Sequence, residues 1–292
     1  MKRVYNWYNS LSQQVRDSII ISVTVVGIIS TVLSILGISL ADWKGLNIWM
    51  RIGVVLGVFV IICVAVYTII GRIFRDSVNL IVRQTPISIC SGDIFKIDGW
   101  KVIGCDTHFD TRVDDVIISK KSLHGQLVLY HGKKEEIENA VNAEAQRLRL
   151  QKDSNGLYDF PLGTIIRYDS SVDNQTYLML AMIRLDAQHE AHTNMAEFEH
   201  MLMKMWKEIR RVYASNDVVL PLLGMGISEF DDGPKDKEAL LRCMLCTLNC
   251  SGVSLNSKAK IVLYGDTKDI SLYEYKSMFH TISRRPAMKS QA

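Results

Sequence analysis

The sequence predicts an α/β domain preceded by an all-α pair of membrane-spanning helices. Two long runs near the N-terminus contain no charged residue, whereas the chain after Arg72 has the composition of a soluble domain. From Val218 onward, predicted strands alternate with amphipathic helices, a pattern typical of a layered α/β fold. The 292 residues carry a formal net charge of +3, which suits one or two domains and gives no reason to expect nucleic-acid binding.

The two predicted spans cover about residues 18–41 and 52–71. Each reaches the roughly 20 apolar residues needed to cross the hydrocarbon core as a helix. The first run is longer than the apolar region of a signal peptide, and neither run has the polar face of a soluble core helix. The positive-inside rule places both termini in the cytoplasm, because basic residues outside the spans outnumber those of the connecting loop. The outer ones are Lys2, Arg3, Arg16, Arg72, Arg75 and Arg83, against Lys44 and Arg51 in the loop.

Two small-residue patterns leave alternatives open. Gly53 and Gly57 have the small-xxx-small spacing that lets a span pack closely against another helix, although glycine is also common in spans by composition alone. Cys243, Cys246 and Cys250 recur at helical spacing without a fourth ligand nearby. This arrangement is more typical of a small buried apolar stripe than of a zinc site.

The sequence divides into residues 1–85 as the hairpin and its linker, 86–285 as the α/β domain, and 286–292 as a disordered tail. Residues 72–85 are predicted to continue the second span into a basic linker that Pro86 ends. Predicted strands are ISIC, WKVIGC, FPLGTIIRYD, QTYLMLAMIRL, VVLPLL and KIVLYG. Predicted helices are KKEEIENAVNAEAQRLRL, which a break at Gly156 follows, the helix capped by Asn194, KDKEALLRCMLCTLNC and the segment around LYEYKSMFHTI.

Three loops that follow or flank strands are candidates for a binding site, since ligands of open α/β sheets collect at the carboxyl ends of strands. They are SGDIFK, the run from CDTHFDTRVDD to SLHG, and GMGISEF. In the last, Gly224 and Gly226 permit positive φ and allow backbone N–H groups to face an anion, or they simply form a tight turn. The loop lacks the lysine of a P-loop. His189 and His192 lack the spacing of a zinc-binding HExxH motif.

The segments ISICSGDIFKIDGWKVIGC and VVLPLLGMGISEF resemble the macro domain, an ADP-ribose-binding family, over roughly residues 87–277. The resemblance implies a three-layer α/β/α fold with a mixed sheet. The insert FDTRVDDVIISKKSLHGQ and the two N-terminal spans resemble, more narrowly, the macro domains of bacterial Thoeris anti-phage systems.

The resemblance also implies roles for individual residues. Asp93 matches an acceptor for the adenine amino group, and the backbone of Ile94 faces the same ring. The turn from Gly224 to Ile227 matches the diphosphate cradle, and Ser228 lies near the distal ribose. No catalytic or metal-ligating residue is predicted. The ligand-binding candidates are Asp93, Ile94, Asp106, His108, Gly125, Leu223, Gly224, Met225, Gly226, Ile227 and Ser228.

One loop departs from the family pattern. GCDTHFDTRVDD stands where macro domains carry an asparagine and a glycine run, and this difference argues against hydrolase activity. It also favours a ligand that is larger than ADP-ribose or differently decorated. From the residues alone, Asp106 and His108 are either chemical groups of a site or members of a solvated acidic loop.

The resemblance implies a membrane-anchored effector of anti-phage defence, without a cofactor or an enzyme activity. Its partners are a nucleotide signal from a TIR-domain enzyme that consumes NAD, the lipid bilayer and further copies of the chain, but not nucleic acid. The ligand is an ADP-ribose derivative, such as an amino-acid conjugate, and its binding triggers oligomerisation, membrane disruption and abortive infection. The expected location is the cell inner membrane, with several spans. The alternatives are an ADP-ribosyl hydrolase and a membrane-tethered reader of ADP-ribosylated partners.

Overall fold

The computed structural model describes residues 7–8, 10–35, 47–115, 118–154, 156–185, 191–225, 229–233, 235–265 and 270–283. The chain divides into two compact units. One comprises Met1–Val78 with Ser271–Met278, and the other comprises Asn79–Ile270 with Phe279–Ala292. The predicted tail, residues 286–292, lies outside the described residues.

The first unit contains two long helices, α1 (Gln13–Ile35) and α2 (Ile48–Ile73), both long and apolar enough to cross a membrane. Small and polar side chains lie between them. Ser18 and Ser22 are buried, and Gln14 Nε2 donates to the Tyr67 carbonyl at 3.1 Å. Small and polar residues are typical of contacts between membrane helices, because burying apolar side chains between helices gains no hydrophobic free energy in lipid.

Gly53 and Gly57 are not part of this helix–helix contact. A Cβ added at either glycine would meet nothing within 4 Å among the described residues. The two glycines therefore form a part of the α2 surface that has no side chains and no contact with the described residues. Their pairing with a further helix stays a prediction.

The prediction for residues 72–85 is wrong. Helix α2 ends at Ile73, and strands β1 (Ser77–Val82) and β2 (Thr85–Ser91) follow. Arg83 and Gln84 connect them with φ values of 44° and 65°, the left-handed pair that a two-residue hairpin turn needs. Pro86 lies inside β2 and does not end a helix.

The remaining strands join β1 and β2 in one mixed sheet of the second unit. They are β3 (Trp100–Asp106), β4 (Ile165–Asp169), β5 (Thr176–Leu185), β6 (Ala191–Thr193), β7 (Val218–Pro221), β8 (Glu229–Phe230) and β9 (Ala259–Leu263). Within the described residues, the strand order is β1-β2-β9-β7-β3-β5-β6-β8, and β4 pairs with β5. Strands β2, β9, β7, β3 and β5 run parallel, whereas β4 and β6 are antiparallel to β5.

Helices cover this sheet to form the three-layer α/β/α fold that the sequence predicted. They are α3 (Leu123–Gln126), α4 (Lys134–Leu148), α5 (Met195–Val212) and α6 (Lys237–Cys250), and a π-helix (Leu127–His131) continues α3 directly. A further helix, α7 (Leu272–Ser283), begins in the first unit. Ile137 and Val141 of α4 pack with Ile103 and Met179 of the sheet in one apolar cluster. In α5, Trp206 is fully buried and donates from Nε1 to Thr247 Oγ1 of α6 at 3.3 Å.

Two helix ends show how local chemistry sets the boundaries. Asn194 caps α5 as predicted, and its side chain accepts from the Glu197 amide at 3.0 Å. Helix α4 ends earlier than the expected break at Gly156. Arg149 adopts the left-handed conformation and terminates it, with φ of 56°.

Candidate functional site

A cavity of about 540 Å³ lies at the carboxyl ends of the adjacent parallel strands β2, β9, β7 and β3. Loops from these strands and the short helix α3 form its walls. This is the edge of an open α/β sheet at which ligands bind. The lining residues are Gly92, Asp93, Ile94, Gly104, Ser119, Lys121, Ser122, Leu123, His124, Gln126, Met182, Pro221, Leu222, Leu223, Gly224, Met225, Lys237, Val262, Leu263 and Tyr264.

Asp93 and Ile94 form the wall that follows β2. Asp93 caps a single 3-10 turn, Ile94–Lys96, because its Oδ1 accepts from the Phe95 amide at 3.1 Å. Its Oδ2 lies 3.6 Å from Lys96 Nζ, an exposed ion pair of small energetic weight. Ile94 is buried and anchors the turn in the apolar core. The turn therefore fixes where the Asp93 carboxylate lies.

The turn after β7 forms a second wall with Leu223, Gly224 and Met225. Gly224 has φ of +90°, and a Cβ there would lie 3.0 Å from Leu240 Cδ2. The turn itself therefore requires glycine at this position, whatever binds beside it. The other members of the predicted cradle, Gly226, Ile227 and Ser228, lie outside the described residues.

Asp106 and His108 form a turn at the end of β3 and are not among the lining residues. Asp106 is 5% exposed, and its Oδ1 accepts from the His108 amide at 2.7 Å. Its Oδ2 has no hydrogen-bond partner among the described residues and lies 3.9 Å from His124 Nδ1. Asp106 was among the ligand-binding candidates of the sequence analysis. In the structure His124, and not Asp106, lines the cavity.

His124 lies on α3, is buried and is one of the residues that line the cavity. Burial lowers the pKa of His124 more than the Asp106 and Asp110 carboxylates raise it, so the imidazole is neutral at pH 7. Ser122 caps the helix by accepting from the Gly125 amide at 2.9 Å. Gly125 is not among the lining residues, and a Cβ there would overlap the Ser119 carbonyl. Packing therefore requires this glycine.

Comparison with known proteins identifies the fold family. Residues 87–264 match the family described as "Thoeris protein ThsA, Macro domain". The chain belongs to this family. A curated relative, Thoeris protein ThsA of Bacillus amyloliquefaciens (strain Y2), is 29% identical over 214 residues, which is 71% of this chain and 72% of the relative.

Solved macrodomains of Oceanobacillus iheyensis are more distant. A mutant with ADPR has a TM-score of 0.47 at 14% identity and covers 71% of this chain and 100% of its own. The same macrodomain with ADP has a TM-score of 0.44 at 14% identity and covers 71% and 97%. The family assignment rests on the sequence match, because these structural similarities are weak.

Within this macro domain, several lining residues had escaped the sequence reading. Lys121 and Lys237 are two basic residues among the lining, and Tyr264 follows β9 with most of its side chain exposed. Tyr264 could have been predicted from the sequence, because it directly follows a predicted strand, which the structure shows to be parallel to β2. Gly104 and Met182 could not have been predicted as lining residues, because they come together only through the pairing of β3 with β5.

Among the described residues, no group of three or more His, Cys, Asp or Glu side chains is arranged to hold a metal ion. Cys243, Cys246 and Cys250 are free thiols on α6, and Cys243 is buried whereas the other two are exposed, so the expectation of a buried stripe is wrong for Cys246 and Cys250. Burial raises the pKa of Cys243 to about 12 and also raises the pKa of Cys246. These two thiols are therefore protonated at pH 7, which makes them poor nucleophiles and poor metal ligands.

Proposed function

We propose that this macro domain binds a signal derived from ADP-ribose, and that the chain is the membrane-anchored effector of a Thoeris anti-phage system. The observation that carries the proposal is the cavity at the carboxyl edge of the sheet. Its volume of about 540 Å³ suits a nucleotide-sized ligand. Asp93 and the turn at Gly224 both line this cavity, and family resemblance expects them to contact adenine and diphosphate.

The cavity supplies the chemistry that such a ligand needs. The Asp93 carboxylate can accept from an exocyclic amino group, and a hydrogen bond to a charged group is worth about 1.5–3 kcal/mol. Lys121 and Lys237 bring positive charge to the same cavity, where it would favour a diphosphate. Apolar lining from Leu223, Val262 and Leu263 provides the surface for a heterocycle.

In this proposal the signal comes from a TIR-domain enzyme that consumes NAD, and α1 and α2 anchor the effector in the inner membrane with both termini in the cytoplasm. Ligand binding shifts the protein toward an oligomeric state that disrupts the bilayer. Such a shift requires different affinities of the ligand for the two states. An amino-acid conjugate of ADP-ribose is one candidate signal, since the β3 loop differs from the ordinary family pattern.

The binding proposal is tested by calorimetry on the full chain in detergent, with ADP-ribose as the probe. We expect Asp93→Ala to weaken binding by about 1.5–3 kcal/mol through loss of the adenine contact. Asp98→Ala is the matched control, because Asp98 is an exposed carboxylate of the same loop and is not among the lining residues. Equal affinity of Asp93→Ala and the parent would remove Asp93 from the site.

The effector proposal is tested with the full chain in dye-loaded vesicles. ADP-ribose, or its amino-acid conjugate, should release the dye from vesicles with the parent protein and much less from vesicles with Asp93→Ala. The same samples are followed for conversion of an ADP-ribosylated protein. Turnover without ligand-dependent leakage would favour the hydrolase alternative and contradict an effector.

A further inference from the structure

Two walls of the cavity are joined behind it by one pair of stacked rings. Phe95 lies in the 3-10 turn that Asp93 caps, and His131 ends the π-helix that continues α3. The rings are parallel, with centroids 4.2 Å apart and an interplanar angle of 8°. Neither residue is among those that line the cavity.

His131 is held in place from behind by the β4–β5 hairpin. Its Nδ1 lies 3.0 Å from Asp173 Oδ2, and the Tyr177 hydroxyl donates to the same oxygen at 2.6 Å. Ser170 Oγ donates to the His131 carbonyl at 2.5 Å. Burial opposes the charge on Asp173, but hydrogen bonds from Tyr177, the Gln175 amide and His131 outweigh it and lower the pKa of Asp173. The carboxylate is therefore ionised and fixes the imidazole plane.

Phe95 connects this support to the candidate adenine wall. Its amide donates to Asp93 Oδ1 at 3.1 Å while its ring lies on His131. A displacement of the ring would therefore shift the turn that carries the Asp93 carboxylate. On the opposite wall, the π-helix follows Gln126 without interruption, so His131 and His124 belong to one continuous helical segment.

We propose that Phe95, His131 and Asp173 are positioning residues, which hold the Asp93 wall and the His124 wall at the separation that a ligand spanning both requires. The inference rests on the proposed function, namely that the cavity binds an ADP-ribose derivative. Affinity for a spanning ligand benefits from preorganised walls, because the protein then loses less conformational freedom on binding. A ligand that contacts the Asp93 wall alone gains little from their fixed separation.

The experiment compares ADP-ribose with AMP, which lacks the second phosphate and the distal ribose, by calorimetry on the full chain in detergent. His131→Ala should weaken ADP-ribose binding about 10-fold, the scale of a coupling energy between contacting residues, and should change AMP binding by less than about 2-fold. His131→Phe keeps a flat ring on Phe95 and should recover most of the ADP-ribose affinity. His200→Ala, at an exposed position on α5, is the control and should bind as the parent does.

A double-mutant cycle identifies the stack itself. Phe95→Ala and His131→Ala should be non-additive, so that the double variant binds ADP-ribose about as weakly as either single variant. Equal losses for AMP and ADP-ribose, or full additivity, would overturn the positioning role. If His131→Ala does not fold, Asp173→Asn carries the same comparison, and parental selectivity in Asp173→Asn would overturn the positioning role. A parent that binds neither compound would instead contradict the proposed function.

Discussion

The helical hairpin and the macro domain treat the same residue types in opposite ways. Ile61 on α2 is 69% exposed and Trp49 is 78% exposed, whereas Ile103 and Trp206 in the macro domain are fully buried. Polar groups show the reverse, since Ser18 and Ser22 are buried in the hairpin. This contrast is the one expected if lipid surrounds the hairpin and water surrounds the macro domain.

The sharpest test of the buried side of this comparison is Trp206→Ala. Trp206 fills the space between α5 and α6 and donates to Thr247 Oγ1, so its truncation leaves a cavity and removes this hydrogen bond, while the Thr247 hydroxyl still donates to the Cys243 carbonyl. We expect a loss of about 3–5 kcal/mol in the free energy of unfolding. Urea unfolding followed by near-ultraviolet circular dichroism measures it. Trp49→Ala is the control, and an equal loss there would contradict the comparison.

An exposed apolar side chain can face either lipid or water, and an arginine substitution distinguishes the two environments. Ile61 on α2 and Ile81 on β1 are both exposed, at 69% and 57%. If lipid surrounds α2, Ile61→Arg places a charge in hydrocarbon at a cost of about 2.5–3.5 kcal/mol and should lower the membrane-inserted fraction. Ile81→Arg should leave that fraction unchanged, since water surrounds β1. Membrane flotation of both variants measures it, and the same behaviour at the two sites would rule out a lipid environment for α2.

The two regions also differ in how much of them could be predicted. The spans are visible from composition, and the alternating strands after Val218 from periodicity. Strand β1 was missed, because the arginines before it resembled a basic linker and its turn, Arg83–Gln84, lacks the usual Asn-Gly signal. Its buried residues Val78, Leu80 and Val82 nevertheless follow the two-residue period of a strand.

Within the candidate site, too, some residues could be predicted from the sequence and others could not. Asp93 was predictable because it directly follows a strand in a recognisable motif. The wall at His124 was not, because α3 has four residues and is too short to show helical periodicity. The Phe95–His131 stack depends on a contact between residues 36 positions apart, which no local pattern encodes.

Within the macro domain, Gly224 is required for two reasons, since its φ is positive and Leu240 leaves little room for a side chain. Gly224→Ala should cost about 1 kcal/mol or more of stability, since alanine is strained at positive φ and its Cβ would press on Leu240. Gly252 has a φ of +79° but open space around it, so Gly252→Ala isolates the backbone cost. Chemical denaturation of both variants measures the difference. Equal losses would show that Leu240 yields without cost.

The smallest expected effect concerns the segment Ser271–Met278, which belongs to the first unit although α7 continues into Phe279 of the second. The Tyr273 hydroxyl donates to Asp17 Oδ2 at 2.7 Å, and its ring lies 5.2 Å from that of Phe74. Burial, and then the hydrogen bond to Asp17, raise the pKa of Tyr273 from 10.0 to about 12. The protonated hydroxyl is the stabilising form. Its contribution is therefore complete below pH 10 and is lost as the pH rises through about 12.

Tyr273→Phe removes this hydrogen bond and keeps the ring. We expect a local loss of about 0.5–1.5 kcal/mol, the net value of one hydrogen bond, seen as roughly 2- to 12-fold faster amide exchange at the start of α7. Hydrogen–deuterium exchange of the full chain in nanodiscs measures it at neutral pH. Tyr264→Phe, on an exposed ring, is the control. Unchanged exchange in Tyr273→Phe would mean that this polar contact contributes nothing to the hairpin unit, and that its aromatic and apolar contacts suffice.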